Sequence, residues 1–173
     1  YNYGTYGFVI HEIAEMVALN MGQYAHGNQP VQHAIYLYDY IGQPWKTQYH
    51  LRNVMDKLYN SGSKGYCGDE DNGQTSAWYV FSAMGFYQVN PSDGVFAFGS
   101  PRFKKIEVKV RGGKVFTVEA PNNSKDNIYI QKVYLNGKPY HKSYITYDDI
   151  INGSTLKFEM GKKPAKNFGK ASA

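Results

Sequence analysis

The sequence predicts an α+β protein in which a helical part, residues 1–91, precedes a strand-rich part, residues 92–173. Up to about residue 84, apolar residues recur at the three- and four-residue spacing of helices, and beyond Asn90-Pro91 they alternate with period two. The charge also divides there, because the first part carries four Lys/Arg against seven Asp/Glu and the second carries fifteen against seven. We therefore expect two units with different roles.

Four helices are expected in the first part, after an aromatic, glycine-rich loop over residues 1–7. Their ranges, taken from apolar positions on one face and from glycines at the ends, are Phe8–Met21, Asn28–Tyr40, Trp45–Tyr59 and Thr75–Met84. Thr75 or Ser76 is the expected N-cap of the fourth helix, and Gly85 its stop. Helices joined by short connections run antiparallel, so loops Gly22–Gln29 and Asn60–Gln74 should lie at one end of the bundle.

Short strands separated by regular turns fill the second part. Gly112-Gly113 and Asn136-Gly137 are typical of hairpin turns. The expected strands are Val95–Phe98, Lys105–Arg111, Val115–Ala120, Ile128–Leu135, Tyr144–Tyr147 and Thr155–Met160, and the tail from Gly161 should be loose. Strands in this arrangement predict an antiparallel β-sandwich-like region.

The most informative motif is Gly68–Gln74, which holds Asp69, Glu70 and Asp71 in a row and leads into the fourth helix. Three neighbouring carboxylates repel one another unless a cation or water meets them. The free NH groups and the macrodipole of a helix start favour ionised carboxylates, which suits a general base or a metal ligand. The alternative is that the acids only help to cap the helix. The spacing of the glycines does not fit an EF-hand calcium loop.

Composition excludes several other classes of function. The single cysteine, Cys67, excludes a disulfide framework and a cysteine metal site. The lysines of the second part alternate with apolar residues along strands, and no nucleic-acid recognition motif accompanies them. No apolar run is long enough to span a membrane. Because the sequence does not begin with Met, the lack of a signal peptide carries no meaning.

Several motifs in order go beyond composition. They are Gly22–Pro30, Gly42–Gln48, Gly68–Ala83, Gly85–Pro91, Gly99–Pro101, Asn122–Ser124 and Asn136–Pro139. Together they closely resemble the C-terminal part of the bacterial α-mannosidases of glycoside hydrolase family ninety-two. The resemblance implies that residues 1–91 are the C-terminal helices of an α/α toroid. It also implies a calcium-dependent, inverting exo-α-mannosidase of α-1,2 type, secreted or periplasmic, that acts on N-glycans.

The resemblance also implies roles for residues of the two loops. Asp71 would be the general base, and Asp69 would assist it or hold water and sugar. Glu70, lying between them, would point elsewhere. Asn28 and Gln29, together with Asp71, would approach the calcium ion, which prefers oxygen ligands.

His11 and Glu12 resemble residues that contact the leaving-group sugar. In a continuous helix over residues 8–21 they would lie at the end away from the acid loop, so either that helix is short or these two roles are wrong. A solvent-facing His-Glu pair is the alternative. The resemblance places the general acid in a segment before residue 1, so neither Glu12 nor Glu15 is given that role.

The expected partners are a mannose-containing glycan and the upstream part of the same parent chain. The 173 residues alone are expected to hydrolyse nothing, and the exposed apolar surface of an incomplete toroid favours self-association. Two other functions stay open. One is a carbohydrate-binding or assembly fragment without chemistry, and the other is a toroid glycosidase or phosphorylase acting on another sugar.

Overall fold

The computed structural model describes residues 7–169 and has the predicted α+β composition, with helices first and strands after them. The predicted entry loop therefore lies almost wholly outside the described residues. The α-helices are α1 His11–Leu19, α2 Leu37–Tyr40, α3 Pro44–Lys57, α4 Gln74–Met84 and α5 Tyr147–Ile151. Three short 3-10 helices cover Gln29–Val31, Ala34–Tyr36 and Arg111–Gly113.

The first helix is shorter than predicted at both ends. It begins at His11, because Ile10 has extended backbone angles, φ −74° and ψ 155°. It ends where Asn20 adopts the left-handed conformation with φ 50°. His11 is therefore the first residue of α1.

The second predicted helix is wrong as one continuous element, since 3-10 turns and the four-residue α2 replace it. The reason lies at Gln32, whose backbone carbonyl accepts hydrogen bonds from Trp78 Nε1 at 3.1 Å and from Tyr24 Oη at 3.3 Å. This carbonyl serves neighbouring elements instead of a regular helical ladder. Tertiary contacts thus override the local helical pattern.

The strands form two sheets. A three-stranded antiparallel sheet has the order β1-β2-β7, with β1 Phe86–Tyr87, β2 Val95–Phe98 and β7 Tyr144–Thr146. A five-stranded sheet has the order β3-β4-β8-β5-β6, with β3 Lys105–Lys109, β4 Val115–Glu119, β5 Tyr129–Leu135, β6 Lys138–Tyr140 and β8 Thr155–Gly161. The expectation of a purely antiparallel region needs one correction, because β4 and β8 pair in parallel from Thr117↔Thr155 to Glu119↔Lys157.

One apolar core lies between the two sheets. Phe98 of the smaller sheet meets Phe158 of the larger sheet edge to face, with ring centroids 5.1 Å apart, and both side chains are fully buried. Phe81 and Met84 of α4 pack against the same core. The tail is less loose than predicted as far as it is described, since Phe168 also packs there.

A second core joins the helices and continues into the sheets. It centres on Trp78 and Leu51, both fully buried, and includes Ala97 of β2. Helix α3 adds polar contacts across the two parts, because Gln48 Oε1 accepts a hydrogen bond from the backbone N–H of Ile130 at 3.0 Å. The division into units at residue 91 stays a prediction, and β1 before that point already pairs with β2 beyond it.

Candidate active site

The two loops predicted to share one end of the bundle are in contact. Gly27 and Gly68 approach so closely that a Cβ on Gly68 would lie 2.5 Å from Gly27 Cα, and only glycine allows this approach. Next to this crossing, Gln29 Nε2 donates a hydrogen bond to the backbone carbonyl of Asp69 at 2.7 Å. The loop bearing Asn28 and Gln29 is thereby fixed against the loop bearing the three acids.

Glu70 makes the helix cap that the sequence assigned to Thr75 or Ser76. Its Oε2 accepts from the backbone N–H of Gly73 at 2.7 Å, and its Oε1 accepts from the N–H and hydroxyl of Ser76 at 3.2 and 2.5 Å. The hydrogen bonds from Ser76 and Gly73 lower the pKa of Glu70 below its usual value. Both carboxylate oxygens of Glu70 are therefore engaged at the start of α4, a structural role separate from the roles that the resemblance implied for Asp69 and Asp71.

Asp71 projects from a tight turn at the surface. Its φ of 51° and the φ of 54° at Asn72 place both residues in the left-handed region. The turn closes where the Gln74 N–H donates to the Asp71 carbonyl at 3.2 Å. Within residues 7–169 the exposed Asp71 carboxylate has no hydrogen bond or ion pair, so it is available to an outside ligand.

The start of α1 lies beside Asp69. His11 Nε2 is 3.9 Å from Asp69 Oδ2, and His11 Nδ1 is 3.4 Å from Glu12 Oε2. In a helix over residues 8–21, His11 and Glu12 were expected at the end away from the acid loop. The observed α1 instead has its N-terminal turn next to that loop. The imidazole and the Asp69 carboxylate are both largely exposed, so their interaction is a weak one in water.

Glu15 belongs to this group, although no role is predicted for it from the sequence. Its Oε2 lies 3.1 Å from the position a Cβ would take on Gly27. Burial raises the pKa of Glu15, the charge of His11 opposes that rise, and the carboxylates of Asp69 and Glu12 add to it. The available signal was spacing, because positions 11, 12 and 15 share one face of a helix.

Buried polar side chains lie beneath the two loops. His26 is fully buried, and its Nδ1 and Nε2 are 2.8 Å from Tyr24 Oη and 2.6 Å from Tyr59 Oη. Burial lowers the pKa of His26 to about 3, so the ring is neutral and donates through only one nitrogen. The sequence placed His26 in a polar loop and missed its burial.

Thr75 connects this interior to the surface loops. Its hydroxyl donates to the Asp69 carbonyl at 2.9 Å and accepts from Gln29 Nε2 and Gln32 Nε2, each at 3.2 Å. Gln32 Nε2 also donates to the His26 carbonyl at 3.2 Å. Thr75 and Gln32 are both buried.

The oxygen chemistry of the two loops fits a hard cation. The Gln29 amide nitrogen is engaged by Asp69 and Thr75, which leaves its Oε1 without a hydrogen bond to any residue from 7 to 169. Amide and carboxylate oxygens are the ligands that calcium prefers. No group of three or more His, Cys, Asp or Glu that could hold a metal occurs among the described residues, so a calcium site here would need amide oxygens as well.

Comparison with known proteins identifies the class. Residues 6–162 match the model of the glycosyl hydrolase family 92 catalytic domain, and the chain therefore belongs to that family. It is 69% identical to a family GH92 inverting mannosidase from Bacteroides thetaiotaomicron, with a TM-score of 0.82 over 98% of this chain and 23% of that one. It is 43% identical to a family GH92 α-mannosidase from the same organism, with a TM-score of 0.83 over 86% of this chain and 20% of that one.

A curated relative from a second organism also matches this chain. An uncharacterized secreted glycosidase of Arthroderma benhamiae is 34% identical over 140 residues, which are 79% of this chain and 18% of the relative. The chain thus spans about a fifth of the length of the relatives it matches. Among residues 7–169, no helix has the length and apolarity needed to cross a membrane.

Proposed function

We propose that this chain supplies the general-base side of the active site in a longer, secreted or periplasmic inverting exo-α-mannosidase that acts on α-linked mannose in glycans. The observation that carries the proposal is the joining of the Asn28-Gln29 loop to the acid loop, with the first turn of α1 beside it. The family membership and the mannosidase relatives support the substrate class. An α-1,2 linkage is part of the proposal.

In this proposal Asp71 removes a proton from water as the water attacks the anomeric carbon. Its exposed carboxylate has no partner among residues 7–169, and general bases need such accessibility. Asp69 holds the water or a sugar hydroxyl, with its backbone fixed by Gln29 and Thr75. His11 and Glu12 contact the leaving-group sugar.

The carboxylic acid that protonates the leaving oxygen lies in this proposal elsewhere in the longer catalytic domain. In inverting glycosidases it stands about 6.5–9.5 Å from the base, which leaves room for the water. The 173 residues alone are therefore expected to bind sugar weakly and to hydrolyse nothing. The upstream part of the longer chain is the partner that completes the site.

Asn28, Gln29 and Asp71 would hold a calcium ion. A calcium ion bound there would engage sugar hydroxyls and favour a distorted ring. The task of the protein is to present oxygen ligands in a fixed arrangement, and the Gln29–Asp69 hydrogen bond serves that task.

The test is Asp71→Asn in a full-length catalytic domain that contains this chain. The amide cannot accept the proton, so kcat on an α-1,2-mannobiose should fall by about 1,000-fold or more, within the usual contribution of a general base. Asp148→Asn, at an exposed carboxylate in α5, is the matched control and should keep full activity. Chelation of calcium should abolish turnover, and its re-addition should restore it.

Two results would count against the proposal. Full activity of Asp71→Asn would remove the role of Asp71. Hydrolysis of other α-linked disaccharides but not of mannosides would favour a toroid glycosidase or phosphorylase for another sugar.

A further inference from the structure

The hydroxyl of Thr75 has every hydrogen-bonding position in use. A hydroxyl offers one donor and two acceptor positions. Thr75 donates to the Asp69 carbonyl and accepts from the side-chain amides of Gln29 and Gln32. The residue is 1% exposed, so water does not compete for these positions.

Two of these three hydrogen bonds, those from Gln29 and Gln32, join segments that are far apart in the sequence, and the third stays within the segment of Asp69 and Thr75. Gln29 belongs to the proposed calcium loop, Asp69 to the base loop, and Gln32 to the interior beneath them. Gln29 Nε2 donates to both Asp69 and Thr75, and together these acceptors fix which way its amide faces. If Thr75 no longer accepted, one of the two constraints on that amide would be lost.

Gln32 indicates that this arrangement has a cost. Its Nε2 donates to Thr75 and to the His26 carbonyl, while its Oε1 is buried without a hydrogen bond to the described residues. Leaving such a group unpaired costs about 1–3 kcal/mol. An apolar side chain at position 32 would avoid that cost but could not donate to Thr75. Gln32 therefore orients the Thr75 hydroxyl at some expense to the stability of the fold.

We infer that Thr75 is a positioning residue whose hydroxyl sets the spacing of the two loops and the orientation of the Gln29 amide. Because Thr75 is buried, it would act through Gln29 and Asp69 rather than by contact with substrate. The catalytic consequence depends on the proposed function, whereas the structural consequence belongs to this chain alone.

The structural test uses NMR of the 173-residue chain with Thr75→Val and Thr75→Ser. Valine keeps the shape and loses the hydroxyl, and serine keeps the hydroxyl and loses one methyl. We expect the side-chain NH₂ protons of Gln29 to exchange with solvent at least about tenfold faster in Thr75→Val, as expected for loss of about 1.4 kcal/mol of local stability. Thr75→Ser should exchange at the wild-type rate, and equal protection in both variants would overturn the inference.

The functional test places the same pair of variants in the full-length catalytic domain. Loss of a group that orients metal or catalytic ligands typically costs about 10- to 100-fold, so Thr75→Val should lower kcat/KM or calcium affinity by that factor and Thr75→Ser should restore it. Calcium affinity is measured by calorimetry, independently of turnover. Equal losses in both variants would indicate a packing role and overturn the inference.

The two proposals fail in distinguishable ways. The wild-type domain could release no mannose while the Gln29 NH₂ protons still exchange faster in Thr75→Val than in Thr75→Ser. In that case the mannosidase proposal fails and the positioning inference stands. If mannose is released and the two variants behave alike in both tests, the positioning inference fails alone.

Discussion

Among single residues, His26 is fully buried and is surrounded by aromatic side chains. Both ring nitrogens bond to tyrosine hydroxyls, and the ring lies 4.2 Å from that of Trp78, centroid to centroid. A charged imidazolium has two N–H donors and no acceptor. It would keep both bonds only if the hydroxyls of Tyr24 and Tyr59 both acted as acceptors. Burial therefore lowers the pKa of His26 to about 3 in the folded chain.

We predict that His26 makes the free energy of unfolding fall on acidification. The pKa in the unfolded chain is about 6.5, so between pH 6.5 and 3 the unfolded state binds a proton that the folded state does not. Stability is then lost as pH falls through that window, with a contribution of at most about 1.4 kcal/mol per pH unit, and the loss stops below about pH 3. Above pH 6.5 this residue adds no pH dependence.

Urea unfolding at pH 7, 5.5 and 4.5 measures this slope. His26→Gln should unfold more easily at pH 7 but show a shallower slope than wild type between pH 7 and 4.5. His141→Gln, at an exposed histidine, is the control and should retain the wild-type slope. Parallel slopes for wild type and His26→Gln would contradict the prediction.

The sequence predicted part of the site at the residue level. It predicted that the acid loop and the Asn28-Gln29 loop lie together, because that follows from helix order and loop length alone. It named Thr75 or Ser76 as the N-cap and left open that the acids help to cap the helix, but it did not single out Glu70, since several acids and hydroxyls near a helix start are equally able to cap it. It also missed the burial of His26, because a polar sequence between helices gives no sign of the aromatic residues that cover it.

At the scale of elements, the strands were predicted well and the second helix poorly. Alternating residues and hairpin glycines are local signals, and β2 was predicted with its observed ends. The parallel pairing of β4 with β8 has no local signal, because the partners are almost forty residues apart. The interruption at Gln32 likewise depends on donors from Tyr24 and Trp78.

Helix α4 ends as the sequence predicted, and this end supports a prediction. Gly85 has a φ of 107°, and its N–H donates to the carbonyls of Phe81 and Ser82 at 3.1 Å. A Cβ added there would also lie 3.1 Å from Pro101 Cβ. Gly85→Ala should therefore combine backbone strain with a steric clash and lower the free energy of unfolding by about 3 kcal/mol.

Gly22→Ala separates these two contributions. Gly22 has a φ of 67°, and an added Cβ would meet nothing within 4 Å, so only strain of about 1 kcal/mol is expected. Chemical unfolding of both variants gives the comparison. Equal losses in the free energy of unfolding for Gly85→Ala and Gly22→Ala would mean that the contact with Pro101 adds nothing to the cost.

At the scale of the whole molecule, the helical and strand-rich parts pack as one body in the described chain. Arg52 of α3 is buried, and its guanidinium donates to Ser100 Oγ at 2.8 Å, to the Pro101 carbonyl and to Asn123 Oδ1. Burial lowers the pKa of Arg52 to about 10, which still leaves it charged at neutral pH. The two units predicted from charge and periodicity thus share an interface with a buried cation, which neither signal could reveal.

Exposed apolar side chains remain on the helical part. Leu37 and Ile41 are 45% and 63% exposed beside a groove of about 470 Å³ that also involves Met21, Ala34 and Val54. Patches of this kind usually mark contacts with other protein surfaces. Self-association and docking of an upstream helical part stay predictions, and the exposed apolar groove is the surface where we expect either to occur.

Arg52→Met tests how much the buried guanidinium stabilises the interface between the helical and strand-rich parts. Methionine keeps much of the apolar stem but leaves Pro101, Asn123 and Ser100 with fewer partners, so the free energy of unfolding should fall by about 3 kcal/mol, as for buried bonds to a charged donor. Arg102→Met is the control, because Arg102 pairs with the exposed Asp56 and its loss should cost less than about 1 kcal/mol.

A second experiment asks whether the two parts of the wild type unfold together. The unfolding transition followed by tryptophan fluorescence, which reports on Trp45 and Trp78 in the helices, should coincide with the transition followed by amide NMR signals from the strands. Two separate transitions in the wild type would show that the two parts unfold independently. Equal losses in the free energy of unfolding for Arg52→Met and Arg102→Met would show that the buried interface at Arg52 contributes no more than an exposed ion pair.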